Sequence, residues 1–85
     1  MTETARKVYV PVTVRYSSEG EIRPLSITWE DDTEYEITRI KEVRRAASTK
    51  AGGVGMRYTC VIDNKETHLF YEDNNRWFVE AKTYH

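Results

Sequence analysis

The chain has 85 residues, a formal net charge of −1, two histidines and one cysteine. This length suits a single β domain over residues 1–85, with a thin core and no room for a deep pocket. A lone cysteine excludes a disulfide framework, and the balanced charge gives no reason to expect a polyanionic partner. No apolar run reaches the ~18 residues that a membrane span requires. Because no signal peptide is recognisable, we expect a soluble cytoplasmic protein with a disordered tail at residues 1–6.

Charge is distributed unevenly along the chain. Five carboxylates fall within residues 30–36, whereas residues 39–57 carry six basic side chains against the lone carboxylate of Glu42. This asymmetry gives a dipolar surface if the two segments separate in space, although solvated strand faces and a charged turn explain the same pattern. The basic side chains of the second segment are Arg39, Lys41, Arg44, Arg45, Lys50 and Arg57.

Alternating apolar residues predict the first two strands. Residues 7–16 alternate strictly, as expected for one strand with its valines on one face. Pro11 has no amide proton, which indicates an edge strand or an outward-facing position. Turns are expected at residues 17–20 and 31–33. The expected register sets Val14 opposite Leu25, Val12 opposite Ile27 and Val10 opposite Trp29, and then Tyr35 opposite Trp29 and Ile37 opposite Ile27.

Residues 34–47 combine two spacings. Tyr35 and Ile37 alternate as in a strand, but the later apolar residues recur at steps of three and four. Either a bulge near residues 38–39 resets the face of the strand, or a short helical turn forms near residues 39–47. Strand-forming side chains favour the bulged strand. The later apolar residues are Ile40, Val43 and Ala47.

Two hairpins are predicted for the last third of the chain, after a glycine-rich loop at residues 48–55. Tight turns are expected at Asn64 and Lys65 and again at residues 73–75. Residues 76–82 carry large apolar side chains on both faces, so the pattern leaves the register of the second hairpin open. The first hairpin is expected to pair Ile62 with Thr67, Cys60 with Leu69, Tyr58 with Tyr71, Val61 with His68, Thr59 with Phe70 and Arg57 with Glu72.

Six short strands joined by turns predict an all-β fold. We expect a small antiparallel meander or barrel, SH3-like in scale, because a sheet that curls on itself removes exposed edges.

No set of residues predicts catalysis. Cys60 and His68 fall on opposite faces in the expected register, which argues against a nucleophile pair. One cysteine and two histidines fall short of a zinc site, and the carboxylates of residues 30–36 lack the spacing of a calcium loop. Lys50 precedes the glycines that it would follow in a phosphate-binding loop. We therefore predict no enzyme activity, no cofactor and no metal.

Binding is the expected role. The main hypothesis is protein–protein contact, including a homodimer. Large apolar residues lie on both faces of the last strands, so one face must be shielded from solvent by another part of the chain, a second copy or a partner. The alternative is a nucleic-acid-binding barrel that uses residues 39–57 with Tyr58, Phe70, Tyr71 and Trp77, although a pI near 6.1 does not favour it. The glycine-rich turn can also present backbone amides to an anion. Candidate binding residues are Arg44, Arg45, Lys50, Gly52, Gly53 and Arg57.

Three segments carry a resemblance to known proteins: residues 44–58 (RRAASTKAGGVGMRY), 24–29 (PLSITW) and 76–80 (RWFVE). Together they resemble an uncharacterised family of small bacterial all-β proteins of about this length, over nearly the whole chain. The resemblance implies no activity. The tryptophan strand, tight turn and tyrosine strand of residues 29–37 are also similar in layout to short β-rich proteins encoded beside bacterial DNA-repair polymerases.

Overall fold

The computed structural model describes residues 3–47 and 54–84, which form one curled antiparallel sheet. These residues contain no helix, and hence none that could cross a membrane. The sheet order is β1-β7-β6-β5-β4-β3-β2, so among the described strands β1 and β2 are the only consecutive pair that does not lie side by side. The predicted all-β meander is confirmed. The strands are β1 (Glu3–Tyr9), β2 (Val12–Tyr16), β3 (Ile22–Thr28), β4 (Glu34–Ala47), β5 (Val54–Ile62), β6 (Lys65–Tyr71) and β7 (Trp77–Tyr84).

The predicted first strand is divided between Val10 and Pro11. The Val10 amide still donates to the Trp77 carbonyl of β7 at 3.1 Å, whereas the Pro11 carbonyl accepts from the Thr28 amide of β3 at 3.0 Å. Proline cannot continue the ladder with β7, so the chain leaves that strand and joins β3. For this reason the described sheet has seven strands rather than the six predicted. The predicted pairing of Val10 with Trp29 is wrong, because Val10 still belongs to the β7 side.

A bulge modifies the register of β2 against β3. Val12 lies opposite Ile27 as predicted, but Val14 lies opposite Pro24 rather than Leu25. Pro24 is buried, and Leu25 is 38% exposed on the other side. Pro24 has no amide proton to donate to the ladder. A bulge is favoured next to such a residue, which explains why the register differs from the prediction at this proline.

The β3–β4 hairpin is shifted by two residues from the predicted register. Ile27 lies opposite Tyr35 rather than Ile37. The Trp29 amide donates to the Thr33 carbonyl at 2.8 Å, so Trp29 does not reach Tyr35. The tight turn between them forces this closer pairing.

The β5–β6 hairpin shows a similar shift. Its turn residues are Asp63 and Asn64, both with positive φ (52° and 61°), as a type I′ turn requires. Tyr58 therefore pairs with Leu69, two positions away from the prediction. A shift of two leaves every side chain on its expected face, so the predicted separation of the Cys60 and His68 faces is confirmed.

β4 is extended throughout, which rules out the helical turn. Its register against β5 shifts in two places. Each shift adds one residue, so Ile37, Ile40 and Val43 recur on the inner face at steps of three without any helix. The bulge expected near residues 38–39 is confirmed, and a second one at Lys41 was not predicted.

The core lies on the inner face of the curled sheet. The rings of Tyr58 and Trp77 meet there with centroids 5.3 Å apart. A smaller cluster lies on the outer face, where the rings of Phe70 and Phe78 stack with their centroids 4.8 Å apart and an interplanar angle of 2°. The inner core consists of Val8, Val10, Ile27, Ile37, Tyr58, Cys60, Ile62, Leu69, Trp77 and Val79.

Candidate functional site

The residues predicted to form a binding surface do not converge on one face. Arg44 and Arg57 lie opposite each other on β4 and β5, and both guanidinium groups contact Glu42 Oε1, at 4.0 and 3.4 Å. Arg45 faces the other side of β4, with its guanidinium 3.2 Å from the Asp73 carboxylate. The remaining predicted residues, Lys50, Gly52 and Gly53, lie outside the described part of the chain.

Carboxylates balance most of the basic charge on β4 and β5. Lys41 Nζ lies 2.8 Å from Glu66 Oε1, and this hydrogen bond lowers the pKa of Glu66. The predicted ion pair of Arg57 with Glu72 is not formed, because the shifted register separates the two residues. Among the described basic side chains of residues 39–57, Arg39 alone has no carboxylate within 4.0 Å. This surface therefore offers less unbalanced charge than its sequence suggests.

The aromatic side chains considered for base stacking are mostly buried. Tyr58, Phe70 and Trp77 belong to the two clusters described above, and Tyr71 is half-buried. A stacking platform needs exposed ring faces. The basic segment and these rings therefore do not combine into such a platform.

A groove of about 720 Å³ lies where the chain bends from β1 into β2. It forms because Pro11 directs β2 away from β7, so that β2 and the β6–β7 hairpin diverge. We call it the aromatic groove. The side chains that define it are Tyr9, Pro11, Tyr16, Tyr71, Arg76 and Trp77, beside valines of β2.

Tyr9 and Arg76 form the first wall of the aromatic groove. The Arg76 guanidinium carbon lies 3.7 Å from the centroid of the Tyr9 ring, a close cation–π contact. The Tyr9 hydroxyl donates to Glu72 Oε1 at 2.7 Å, and Lys7 Nζ lies 3.3 Å from Glu72 Oε2. The hydrogen bond from Tyr9, with Lys7, lowers the pKa of Glu72. These contacts hold the Tyr9 ring in one orientation.

Tyr16 and Tyr71 form the second wall. The Tyr71 hydroxyl donates to Asn75 Oδ1. Burial, followed by the proximity of Tyr16, raises the pKa of Tyr71. The Tyr71 ring lies 4.5 Å from the Trp77 ring at the floor of the groove. Tyr16 is 62% exposed, so its ring is accessible to a ligand.

The backbone of β2 borders the groove without a strand neighbour. β2 is last in the sheet order, so only its β3 side carries a ladder in the described structure. Unpaired strand edges present amide donors and carbonyl acceptors to an incoming chain. The groove thus combines aromatic rings, hydroxyl groups and free main-chain groups.

No catalytic pair forms around the thiol. Cys60 is fully buried, and burial raises the pKa of its thiol to about 11. His68 lies on the opposite face of the sheet, with Nδ1 at 3.2 Å from Glu80 Oε1. In the ranges that the structure describes, no cluster of three or more His, Cys, Asp or Glu side chains is placed to hold a metal ion.

Comparison with protein-family models, with curated proteins and with solved structures finds no match. The aromatic groove was missed by sequence reasoning because Tyr9 and Tyr16 come from one end of the chain and Tyr71 and Arg76 from the other. Pro11 was the available signal, since it breaks the strand at the site where the groove opens.

Proposed function

We propose that this protein is a non-catalytic binding module that holds an extended, proline-containing segment of a partner protein in its aromatic groove. The observation that carries the proposal is the joint presence of exposed tyrosine rings, an aromatic floor and an unpaired β2 edge in one groove. Aromatic-lined grooves are a recurring site for polyproline II segments, because the preformed ligand loses little entropy on binding.

Proline suits the chemistry of both walls. Its flat ring packs on the exposed face of Tyr16 without displacing hydrogen bonds. A polyproline segment has carbonyl groups with no internal partners, and these can accept from the Tyr16 hydroxyl and from Arg76. Since these donors lie on opposite walls, they can bind successive carbonyls of one extended chain.

The size of the groove limits the strength of binding. A volume of about 720 Å³ falls within the range of ordinary ligand sites and holds only a short segment. A small interface of this kind is typical of transient contacts, so we expect a dissociation constant on the order of micromolar.

Titration of the ¹⁵N-labelled protein with a polyproline peptide tests the proposal. Chemical shift changes are expected at the indole N–H of Trp77 and at the backbone amides of β2. Tyr16→Ala is expected to weaken binding by about tenfold, which corresponds to about 1.4 kcal/mol. Leu25→Ala, at an exposed apolar residue outside the groove, is the control and is expected to bind normally.

Two results would contradict this function. The first is an absence of shift changes in the groove at saturating peptide. The second is binding of a single-stranded oligonucleotide that weakens steeply with salt and competes at the same residues, which would favour the nucleic-acid alternative.

A further inference from the structure

Within residues 3–47 and 54–84, the edge of β4 beyond Glu36 has no strand partner on the side away from β5. β3 pairs with β4 only from Ser26 to Thr28, against Glu34 to Glu36. β4 then continues to Ala47 with β5 as its ladder partner, and the two bulges turn it away from β3. A long, unpaired edge therefore begins where the two strands diverge.

This edge opens onto a cleft of about 680 Å³ between the β2–β3 hairpin and β4. Ile40 and Val43 supply an apolar wall from β4, and Val43 is 45% exposed. Arg15 and Arg23 line the hairpin side of the cleft, with Glu21 beside them. We call this site the basic cleft.

Arg15 and Arg23 face each other across the hairpin, and neither forms an ion pair among the described residues. They are directly opposite in the β2–β3 register, and both are exposed. Like charges in opposed positions destabilise a sheet. Neither guanidinium has a carboxylate within 4.0 Å in the described structure, unlike Lys41 or Arg45 of β4. The positive charge of these two residues is therefore free to meet an anionic ligand.

We propose that the basic cleft binds an acidic, extended segment of a partner protein, which adds to the free edge of β4 as a further strand. A peptide backbone satisfies the amide and carbonyl groups of the edge, which a nucleic acid cannot do. In a segment that alternates carboxylate and apolar side chains, one face contacts Ile40 and Val43. The other face then places its carboxylates near Arg15 and Arg23.

A second copy of the chain is a poor occupant of this edge. Pairing of two copies through this edge would bring together two clefts, each with the guanidinium groups of Arg15 and Arg23, which form no ion pair among the described residues. Charged residues on an exposed edge commonly prevent such self-association. The charge of the cleft favours an acidic partner instead.

Binding of two peptide probes tests this inference separately from the proposed function. A short peptide that alternates Glu and Val is expected to bind, whereas its Lys and Val counterpart is not. The double variant Arg15→Glu with Arg23→Glu is expected to weaken binding of the acidic probe by about tenfold or more. Circular dichroism should confirm that the exposed substitutions leave the fold intact. Normal binding of the polyproline probe to the same variant shows that the substitutions leave the aromatic groove intact.

The matched control changes the same charge elsewhere on the surface. Arg6→Glu with Lys65→Glu alters net charge equally, at exposed residues outside both the cleft and the β4 edge. Equal binding of the Glu and Lys probes would overturn the proposal. Loss of binding in this control, with normal binding in the cleft variant, would overturn it too.

Discussion

The β5–β6–β7 meander and the β2–β3 hairpin belong to one sheet but differ in how completely their backbones are paired. β6 has a ladder on both sides, whereas β2 has one neighbour and β3 meets β4 over only three residue pairs. The meander contains fully buried side chains such as Leu69 and Phe78, and no residue of β2 is buried. The paired half supplies stability, and the partly paired half leaves the surfaces on which a partner can bind.

Both prolines of the chain lie in the partly paired half. Pro11 ends the ladder with β7 and opens the aromatic groove, while Pro24 lies next to the bulge of the β2–β3 hairpin. Each removes an amide donor from the sheet at the point where pairing changes. The contrast between the two halves therefore has an identifiable origin in two residues.

The largest expected difference between the halves is in core packing. Leu69→Ala is expected to destabilise the protein by about 2–5 kcal/mol, because it removes a fully buried side chain and leaves a cavity. The same substitution at Leu25, which is 38% exposed, is expected to cost less than about 1 kcal/mol. Urea unfolding of both variants measures the difference. Equal losses would contradict the assignment of the core to the meander.

Because the Cys60 thiol is buried, the free energy of unfolding is expected to vary with pH in the alkaline range. The ordinary thiol pKa is 9.0, and burial raises that of Cys60 to about 11. The folded protein therefore keeps the proton that the unfolded chain releases. The resulting stability is fully present below pH 9.0 and is lost as the pH rises to about 11.

A comparison with Cys60→Ala isolates this effect from the tyrosines and lysines that titrate in the same range. The wild-type protein should lose on the order of 2 kcal/mol more than the variant between these pH values. Parallel pH profiles of unfolding free energy for the two proteins would show that the thiol is not buried in a low-dielectric site.

The turn of the β5–β6 hairpin should show a smaller effect. Asn64 has a φ of 61°, a conformation that costs an alanine about 1–2 kcal/mol. Asn64→Ala is therefore expected to destabilise the protein by about 1 kcal/mol, whereas Asn64→Gly should retain stability because glycine adopts positive φ freely. Thermal unfolding distinguishes the two variants. A larger loss for glycine than for alanine would contradict the type I′ turn.

The smallest effect is expected for the exposed ion pair that links β4 to the β6–β7 turn. A double-mutant cycle on Arg45 and Asp73 should give a coupling of about 0.2–1 kcal/mol, since both side chains are mostly solvated. Added salt should reduce this coupling further. A coupling that persists in high salt would indicate that the pair is shielded from solvent.

Alternation predicted the faces of the strands better than their pairing. The two hairpin registers were each displaced by two residues, an error that keeps every side chain on its face. Turn composition did not separate Asp63 and Asn64 from Asn64 and Lys65 as the central residues. β4 was harder to read because two bulges in an extended strand reproduce the residue spacing of a helix.

The candidate binding residues were less predictable than the fold. Adjacent residues of a strand face opposite sides, so the strand prediction for β4 already implied that Arg44 and Arg45 would diverge. Ion pairs such as that of Arg57 with Glu42 depend on bulges that local sequence does not specify. The aromatic groove joins Tyr16 to Tyr71 across most of the chain, and no local pattern encodes that contact.

Amide hydrogen exchange under native conditions tests most directly whether the sheet is open on both sides of the β2–β3 hairpin. The amides of β5 and β6 should exchange only on global unfolding, while those of the β2–β3 hairpin should exchange on the order of 100-fold faster. Equal protection of the hairpin and of β6 would mean that the sheet is closed at both sites, with neither the aromatic groove nor the basic cleft open to a partner.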